Sequence, residues 1–314
     1  MVLGKSRNWH RCSYIGNCPI GGIMGKNKLI AFGWYGGKFS HLDWLLPLLP
    51  EAQHYCEPFG GSGAVLLNRQ PSPLETYNDI DGEVANFFRV LREQKERLIE
   101  AIGLTAFSRE EFEIAISPLT SEVSDFERAR RFFVRARQVR TGLAQTASGG
   151  RWAHCKLTSR AGMAGAVSRW LGSIEDLPEI VQRLLRVQIE HDSAIKVIQR
   201  YDSEDTLFYC DPPYPHDSRG DKKAYAYEMT DAQHRQLASV LHATKAKIAI
   251  SGYECSLMDE LYGDWNVIKA PTKVCHSTKG LRTEVLWVNY DVASSKRNKI
   301  QVENECQPQQ LSLI

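Results

Sequence analysis

The stretch Thr206-Leu-Phe-Tyr-Cys-Asp211-Pro212-Pro213-Tyr214 constrains this chain more than any other. Leu207 to Cys210 is a short apolar run, which predicts a strand buried on both faces of a parallel sheet. Asp211 ends it abruptly. Two prolines then remove ladder donors and stiffen the backbone. A carboxylate and a backbone carbonyl are thereby fixed at the carboxyl edge of a sheet, where open α/β folds bind ligands. Such a pair suits an exocyclic amine on a planar ring. Asp211 and the Pro212 carbonyl each accept one N–H, and the nitrogen lone pair points away, less delocalised into the ring. Tyr214 is placed to stack on the ring face. An Asp-Pro-Pro turn with a packed tyrosine fits the same letters, so the neighbouring motifs have to decide.

Upstream lies Phe32-Gly-Trp34-Tyr-Gly36-Gly37-Lys38. Its glycines let backbone approach a ligand closely, and a lysine follows. A helical pattern over Leu42, Leu45, Leu46 and Leu49 comes next, with Pro47 predicting an early kink or end. Tyr55 to Val65, carrying Phe59-Gly60-Gly61-Ser62-Gly63, reads as strand, glycine turn and helix, with free N–H groups at the helix start. The Gly-Gly-x-Gly spacing argues against a dinucleotide fingerprint. Asn78-Asp79-Ile80-Asp81 falls where the next strand ends, the place of an acid that takes ribose hydroxyls. Asp81 also suits an N-cap for the helix carrying Val84, Phe87, Phe88 and Leu91, whose aromatics belong to a core.

Residues 105–170 break the α/β rhythm. A net charge of +2 names no partner, but its distribution does. Arg128, Arg130, Arg131, Arg135, Arg137, Arg140, Arg151, Lys156, Arg160 and Arg169 fall in a stretch with no acid between Glu127 and Glu175. Such a run is an electrostatic footprint for nucleic acid, even with part of it a solvated helix face. Ser108-Arg-Glu-Glu111 predicts a capped helix, and Thr141 to Trp152 a flexible loop. Arg137, Arg140, Arg151 and Gln145 are the candidates for touching phosphates or base edges.

The rest of the chain fills in an α/β domain. Ile174 to Leu185 is helical and Val187 to Glu190 a strand. Asp192 suits either a cofactor's adenine or a helix cap. Pro215 to Met229 is a polar loop, expected to act as a lid with Arg219 on DNA. Thr230 to Leu241 is a capped helix whose His234 is structural. Lys247 to Tyr253 is another buried strand. Residues 265–270 and 283–290 are expected to close the sheet as an antiparallel hairpin, with basic residues 273–282 between them. Residues 1–26 read as a poorly ordered leader with Met24 a candidate start, and 291–314 as a flexible tail. The chain is 43% hydrophobic, but no stretch approaches a membrane span. Its 8 cysteines include no Cys-x-x-Cys pair, which argues against zinc and for reduced thiols in a cytoplasmic protein.

These motifs carry a resemblance. Asp211-Pro-Pro-Tyr214 resembles the catalytic motif of the amino-group DNA methyltransferases. Trp34-x-Gly-Gly-Lys38, Phe59-x-Gly61-x-Gly63 and Asp79-Ile-Asp81 resemble their cofactor motifs. The order, with a basic insert before the catalytic motif, is similar to the Dam-like (D12 class) adenine-N6 family over roughly residues 30–290.

The resemblance implies a Rossmann-like α/β methyltransferase sheet, residues 27–104 and 171–290, with a mainly helical target-recognition insert at 105–170. It implies S-adenosylmethionine held by Trp34, Lys38, Phe59, Gly60, Gly61, Gly63, Asp79 and Asp211. Asp211, Pro212, Pro213 and Tyr214 would be catalytic, acting without metal on an adenine flipped from double-stranded DNA. Arg137, Arg140, Arg151 and Arg219 would face the DNA. A monomer or weak dimer at the nucleoid fits, and so does either an orphan enzyme or one paired with a cognate restriction nuclease. The insert is less rich in Phe and Asn than Dam-like recognition hairpins, so no target sequence is implied. An RNA or protein-amine methyltransferase shares the chemistry, although those acting on glutamine tend to have Asn at position 211. A non-catalytic DNA-binding module would account for the arginines but not for the glycine motifs.

Overall fold

The computed structural model describes residues 28–142, 144–218, 226–274 and 281–292. The expected leader, the loop residue Arg219 and nearly all of the expected tail lie outside the described residues. Strands β1 (His54–Glu57), β2 (Leu74–Asn78), β3 (Gln188–Glu190), β4 (Thr206–Cys210), β5 (Lys247–Gly252), β6 (Asn266–Lys269) and β7 (Val285–Val288) form one sheet in the order β3-β2-β1-β4-β5-β7-β6. Neighbours from β3 to β5 pair in parallel. Strand β7 slots antiparallel between β5 and β6, so the expected closing hairpin is present.

The central strand is the apolar run that the sequence singles out. Every residue of β4 is buried. Alternate side chains serve opposite faces: Leu207 and Tyr209 join one core cluster, Phe208 and Cys210 the other. The chain winds outward from β1 to β2 and β3 on one side, and from β4 to β5 on the other. The order therefore reverses between β1 and β4, which opens a crevice at their carboxyl ends. Glu57 ends β1 and Asp211 follows β4 at that crevice.

Helices α1 (Ala64–Asn68), α2 (Gly82–Glu93), α3 (Lys95–Gly103), α4 (Arg109–Ile116), α5 (Asp125–Gln138) and α6 (Gly165–Glu175) follow in chain order. The predicted caps are in place: Asp81 accepts from the Glu83 N–H at 3.0 Å and Ser108 from the Glu111 N–H at 3.2 Å. The 105–170 insert is not a satellite. Phe132 of α5 packs at 5.0 Å on Phe32, and Phe133 stacks at 5.6 Å on Phe87 of α2. The insert is thus an interruption in sequence but part of the main core in space, and α6 runs through the expected boundary at 170/171.

This packing corrects the reading of the arginine run. Arg128 is held by Glu83 at 3.0 Å, Arg130 by Glu111 and Glu127 at 2.8 Å, and Arg131 by Glu127 at 2.9 Å. Arg135 donates to the Ala115 carbonyl. The stretch contains no acid of its own, but α2 and α4 supply acids across the helix interfaces, and the first turn of α5 supplies Glu127 along its own helix. Most of the α5 arginines are therefore glue between helices rather than a face for phosphates.

Candidate active site

A cleft opens at the carboxyl edge between β1, β2 and β4. Trp34, Lys38, Glu57, Phe59, Asp79 and Asp211 all line it. The glycine loop between β1 and α1 forms its floor. Gly61 and Gly63 have φ of +50° and +65°, which favours glycine. At Gly60 the constraint is space: a Cβ there would lie 2.1 Å from the Tyr77 ring. At Gly61 it would lie 2.8 Å from Trp34 Nε1. The loop is therefore pressed between two aromatic rings, leaving backbone as the surface a ligand meets.

Asp79 clamps this loop from the end of β2. Its carboxylate accepts the Gly61 N–H at 2.7 Å and the Asp81 N–H at 2.8 Å. Burial outweighs those two donors and pushes its pKa up to about 6. A carboxylate offers about four lone-pair positions, so two remain for a ligand's hydroxyls.

Asp211 is held more tightly still. Lys38 Nζ donates to both of its oxygens at 2.7 Å, and also to the Gly36 carbonyl at 2.8 Å. The one hydroxyl proton of Tyr214 goes to Glu284, the shorter of its two contacts, and its oxygen lies 3.2 Å from Asp211 Oδ1. Lys38 lies 3.4 Å from that same Glu284. Burial pushes the Asp211 carboxyl up, and the Lys38 ammonium opposes it. Burial pulls Lys38 down, but Asp211 and Glu284 together hold it above its ordinary value.

The remaining expectations meet the structure unevenly. Trp34, Phe59, Gly60, Gly61, Asp79, Asp211 and Pro213 share the cleft, while Gly63 and Pro212 are not among the residues that line it. Lys38 lines it too, but its ammonium is the counter-ion of Asp211. Tyr214 is 5% exposed, edge-on to Tyr253 at 4.9 Å and with Lys38 5.0 Å above its ring. In this conformation it is a buried hydrogen-bond donor rather than an open stacking platform. Asp192 is paired with Arg200 at 3.1 Å and Lys196 at 3.2 Å, and Ser193 holds the cap position. His234 is buried in its helix, away from the cleft lining, in keeping with a structural role.

Two candidates for DNA contact are corrected. Arg137 donates to the Ile30 and Ala31 carbonyls at 2.8 and 2.9 Å, and burial pulls its pKa down to about 10. It pins the segment before Trp34 to α5. Gln145 donates to Asp81 at 2.6 Å and accepts the Ala226 N–H at 3.2 Å, so its amide serves the cleft wall rather than a base edge. Arg140 is exposed, with one N–H on the Gly150 carbonyl at 2.6 Å, and Arg151 lies in the same loop. A short hairpin, Ser159–Arg160 paired with Met163–Ala164, stands exposed nearby in sequence. The expected outcome follows from these contacts. Arg140→Ala lowers the slope of log affinity against log salt by about 1, with only a small fall in melting temperature from the lost contact with the Gly150 carbonyl. Arg137→Met leaves that slope alone and costs roughly 1–3 kcal/mol of stability. DNA binding at several salt concentrations and denaturant melts of both variants check the pair.

Two residues of this site escape motif reasoning. Glu57 sits at the end of a wholly buried strand and accepts the Tyr55 hydroxyl at 2.7 Å. Its sequence signal is an acid closing an apolar strand directly before Pro-Phe-Gly. Glu284 precedes antiparallel β7 and so reaches the same sheet edge as Asp211; its signal is a lone acid at the head of Val-Leu-Trp-Val. Among the described residues, no group of three or more His, Cys, Asp or Glu is placed to hold a metal ion. Among them, too, no helix is long and apolar enough to cross a membrane.

Comparison with known proteins bears directly on this geometry. Residues 34–275 match the family of D12 class N6 adenine-specific DNA methyltransferases. The type II methyltransferase M1.LlaDCHI of Lactococcus lactis subsp. cremoris is 26% identical over 282 residues, covering 82% of this chain and 94% of its own. A DNA adenine methylase of Vibrio cholerae serotype O1 is 25% identical, over 79% of this chain and 90% of its own. That of Salmonella typhi is 24% identical, over 76% and 85%. Among solved structures, a methylase from Haemophilus influenzae covers 81% of this chain at 12% identity and a TM-score of 0.31, too loose an overlap to add to the assignment. The family match spans every cofactor motif and Asp211-Pro-Pro-Tyr214, and the chain belongs to the D12 class N6 adenine-specific DNA methyltransferases.

Proposed function

We propose that this DNA adenine methyltransferase holds the target amine on Asp211 and the Pro212 carbonyl, and S-adenosylmethionine along Trp34, Phe59 to Gly63 and Asp79. The observation that carries the reading is the double contact of Lys38 with Asp211, 2.7 Å to each oxygen, beside the glycine cleft. It fixes the carboxylate before any substrate arrives, so little reorganisation is left for the reaction. The cleft suits the cofactor on its own chemistry. Glu57 and Asp79 offer carboxyl groups to a cationic ligand, and the glycine loop brings backbone within reach of it. When bound, S-adenosylmethionine supplies an electrophilic methyl group.

Asp211 and Pro212 accept the two N–H bonds of the amine and turn its lone pair out of the ring. No side chain has to remove a proton before attack, because the lone pair itself is the nucleophile. Access to that amine requires the adenine to leave the base stack. Arg140, Arg151 and the exposed 159–164 hairpin form the surface we assign to the duplex. The type II name of the Lactococcus relative favours a modification enzyme working beside a cognate nuclease, in the cytoplasm.

The direct test is transfer from labelled S-adenosylmethionine to unmethylated duplex DNA, with the modified positions mapped. The expected result is N6-methyladenine within one short sequence. Cofactor binding without transfer to DNA would overturn the substrate reading and move it to an RNA or protein amine.

A further inference from the structure

We propose that Glu284 is a positioning residue for methyl transfer. It anchors the Tyr214 hydroxyl and shares the Lys38 cation, and so keeps one acceptor position of Asp211 open for the target amine. The inference rests on the reading of Asp211 as the amine acceptor. Glu284 lies beyond the span that the family comparison matches, residues 34–275.

A carboxylate has about four acceptor positions, two on each oxygen. On Asp211, Lys38 takes one position on each oxygen, and the Tyr214 hydroxyl oxygen, its one proton on Glu284, lies 3.2 Å from Oδ1 and covers that oxygen's second side. One position, on Oδ2, is left, which matches the single amine N–H that Asp211 has to hold. The arrangement lasts only while Lys38 and Tyr214 stay where they are, and Glu284 is what they have in common. Tyr214 donates to it, and Lys38 Nζ lies 3.4 Å from the same oxygen. Glu284 is itself fixed: it is 4% exposed, and its carbonyl accepts the Ala270 N–H at 2.8 Å.

Stability alone does not account for this carboxylate. Lys38 and Asp211 balance each other, and burial pushes the Glu284 carboxyl up, so its ionised form carries a cost that an amide would avoid. With Glu284 ionised, the cluster carries one net negative charge beneath the amine. Transfer would break the methyl group's bond to the donor as the new N–C bond forms, and would move positive charge from the donor onto the amine nitrogen held at Asp211. A fixed negative charge is worth most in the transition state. Gln at this position can still accept from Tyr214. It carries no charge, so the fixed negative charge beneath the amine is lost.

Single-turnover methyl transfer to duplex DNA by the full chain tests this, alongside equilibrium cofactor binding and thermal melting. The Glu284→Gln rate is expected to fall about 10- to 100-fold. Cofactor affinity should stay within about 2-fold and the melting temperature should hold or rise. Tyr214→Phe should slow the reaction in the same way, and the double variant should be no slower than the slower single one. Glu284→Asp keeps the charge and should recover part of the rate, which covers the case of a poorly folded Gln variant. A wild-type rate in Glu284→Gln overturns the proposal. So does a rate loss matched by an equal loss of cofactor affinity, which would make Glu284 a cofactor ligand, and so do additive single effects. Asp211→Ala run in parallel separates the layers. If that variant is active, the reading of Asp211 fails and takes this one with it. If it is dead while Glu284→Gln is normal, only the role of Glu284 is lost.

Discussion

Asp211→Ala should abolish methyl transfer, with a loss of at least about 10³-fold, while cofactor affinity changes by no more than a few-fold. The carboxylate is the one group placed to accept an amine N–H that is also locked from behind, by Lys38 at 2.7 Å on both oxygens. Removing it deletes an acceptor and frees a buried ammonium. That ammonium does not stay unpaired, because Glu284 already lies 3.4 Å away and can take it over. The fold should therefore survive, and the loss should appear in the rate rather than in the amount of soluble protein. Asp211→Asn is the finer probe. It keeps one acceptor oxygen but turns an N–H₂ group toward either Lys38 or the incoming amine, both of them donors. The expected loss is about 10- to 100-fold, smaller than for Ala. Single-turnover transfer and cofactor titration of both variants decide the matter, and wild-type-like turnover in Asp211→Ala would refute the assignment.

The fold was legible where the signal is local. Leu207 to Cys210 had to be a central strand because four consecutive apolar residues need cover on both faces. The glycine loop was legible because few other residues reach the backbone conformation of Gly61 and Gly63. What local reading missed was supplied by distant parts of the chain. The α5 arginines looked unneutralised because their acids, Glu83 and Glu111, belong to other helices. Arg137 looked available because nothing in its neighbourhood announces the carbonyls of Ile30 and Ala31. Tyr214 follows the prolines directly and read as an open stacking ring. Its burial depends on Glu284, 70 residues further on, and on Lys38. The motif residues were thus readable one by one, while the charge network that gives them their chemistry exists only in three dimensions.

Glu57 should make the stability of this protein fall as pH rises, and Glu57→Gln should remove that dependence. Burial raises its pKa from an ordinary 4.5 to about 8, against the hydrogen bonds from Tyr55 and the Leu66 N–H and the attraction of Arg69. Below pH 4.5 the carboxyl is protonated in both the folded and unfolded chain, and contributes nothing to the balance. Between pH 4.5 and about 8 the unfolded chain releases the proton while the folded chain keeps it, so each pH unit favours unfolding. Above about 8 both forms are ionised and the cost levels off. At about 1.4 kcal/mol per pH unit, the ceiling is on the order of 5 kcal/mol. Asp79, raised from 3.8 to about 6, has the same sign but completes its effect at lower pH. The difference between wild type and Glu57→Gln isolates the one group. Urea melts should find the two within about 1 kcal/mol at pH 5, and the Gln variant several kcal/mol more stable at pH 8.5. A difference that does not change with pH would sink the assignment. A carboxyl that weakens the fold at neutral pH needs another reason to be there, and its place in the cleft lining provides one. S-adenosylmethionine is a cation, and a cation in this cleft stabilises the ionised form of Glu57. Cofactor binding at pH 7 should therefore release a proton from wild type, seen as a binding heat that varies with the ionisation heat of the buffer. Glu57→Gln should release less, and should bind the cofactor more weakly as well.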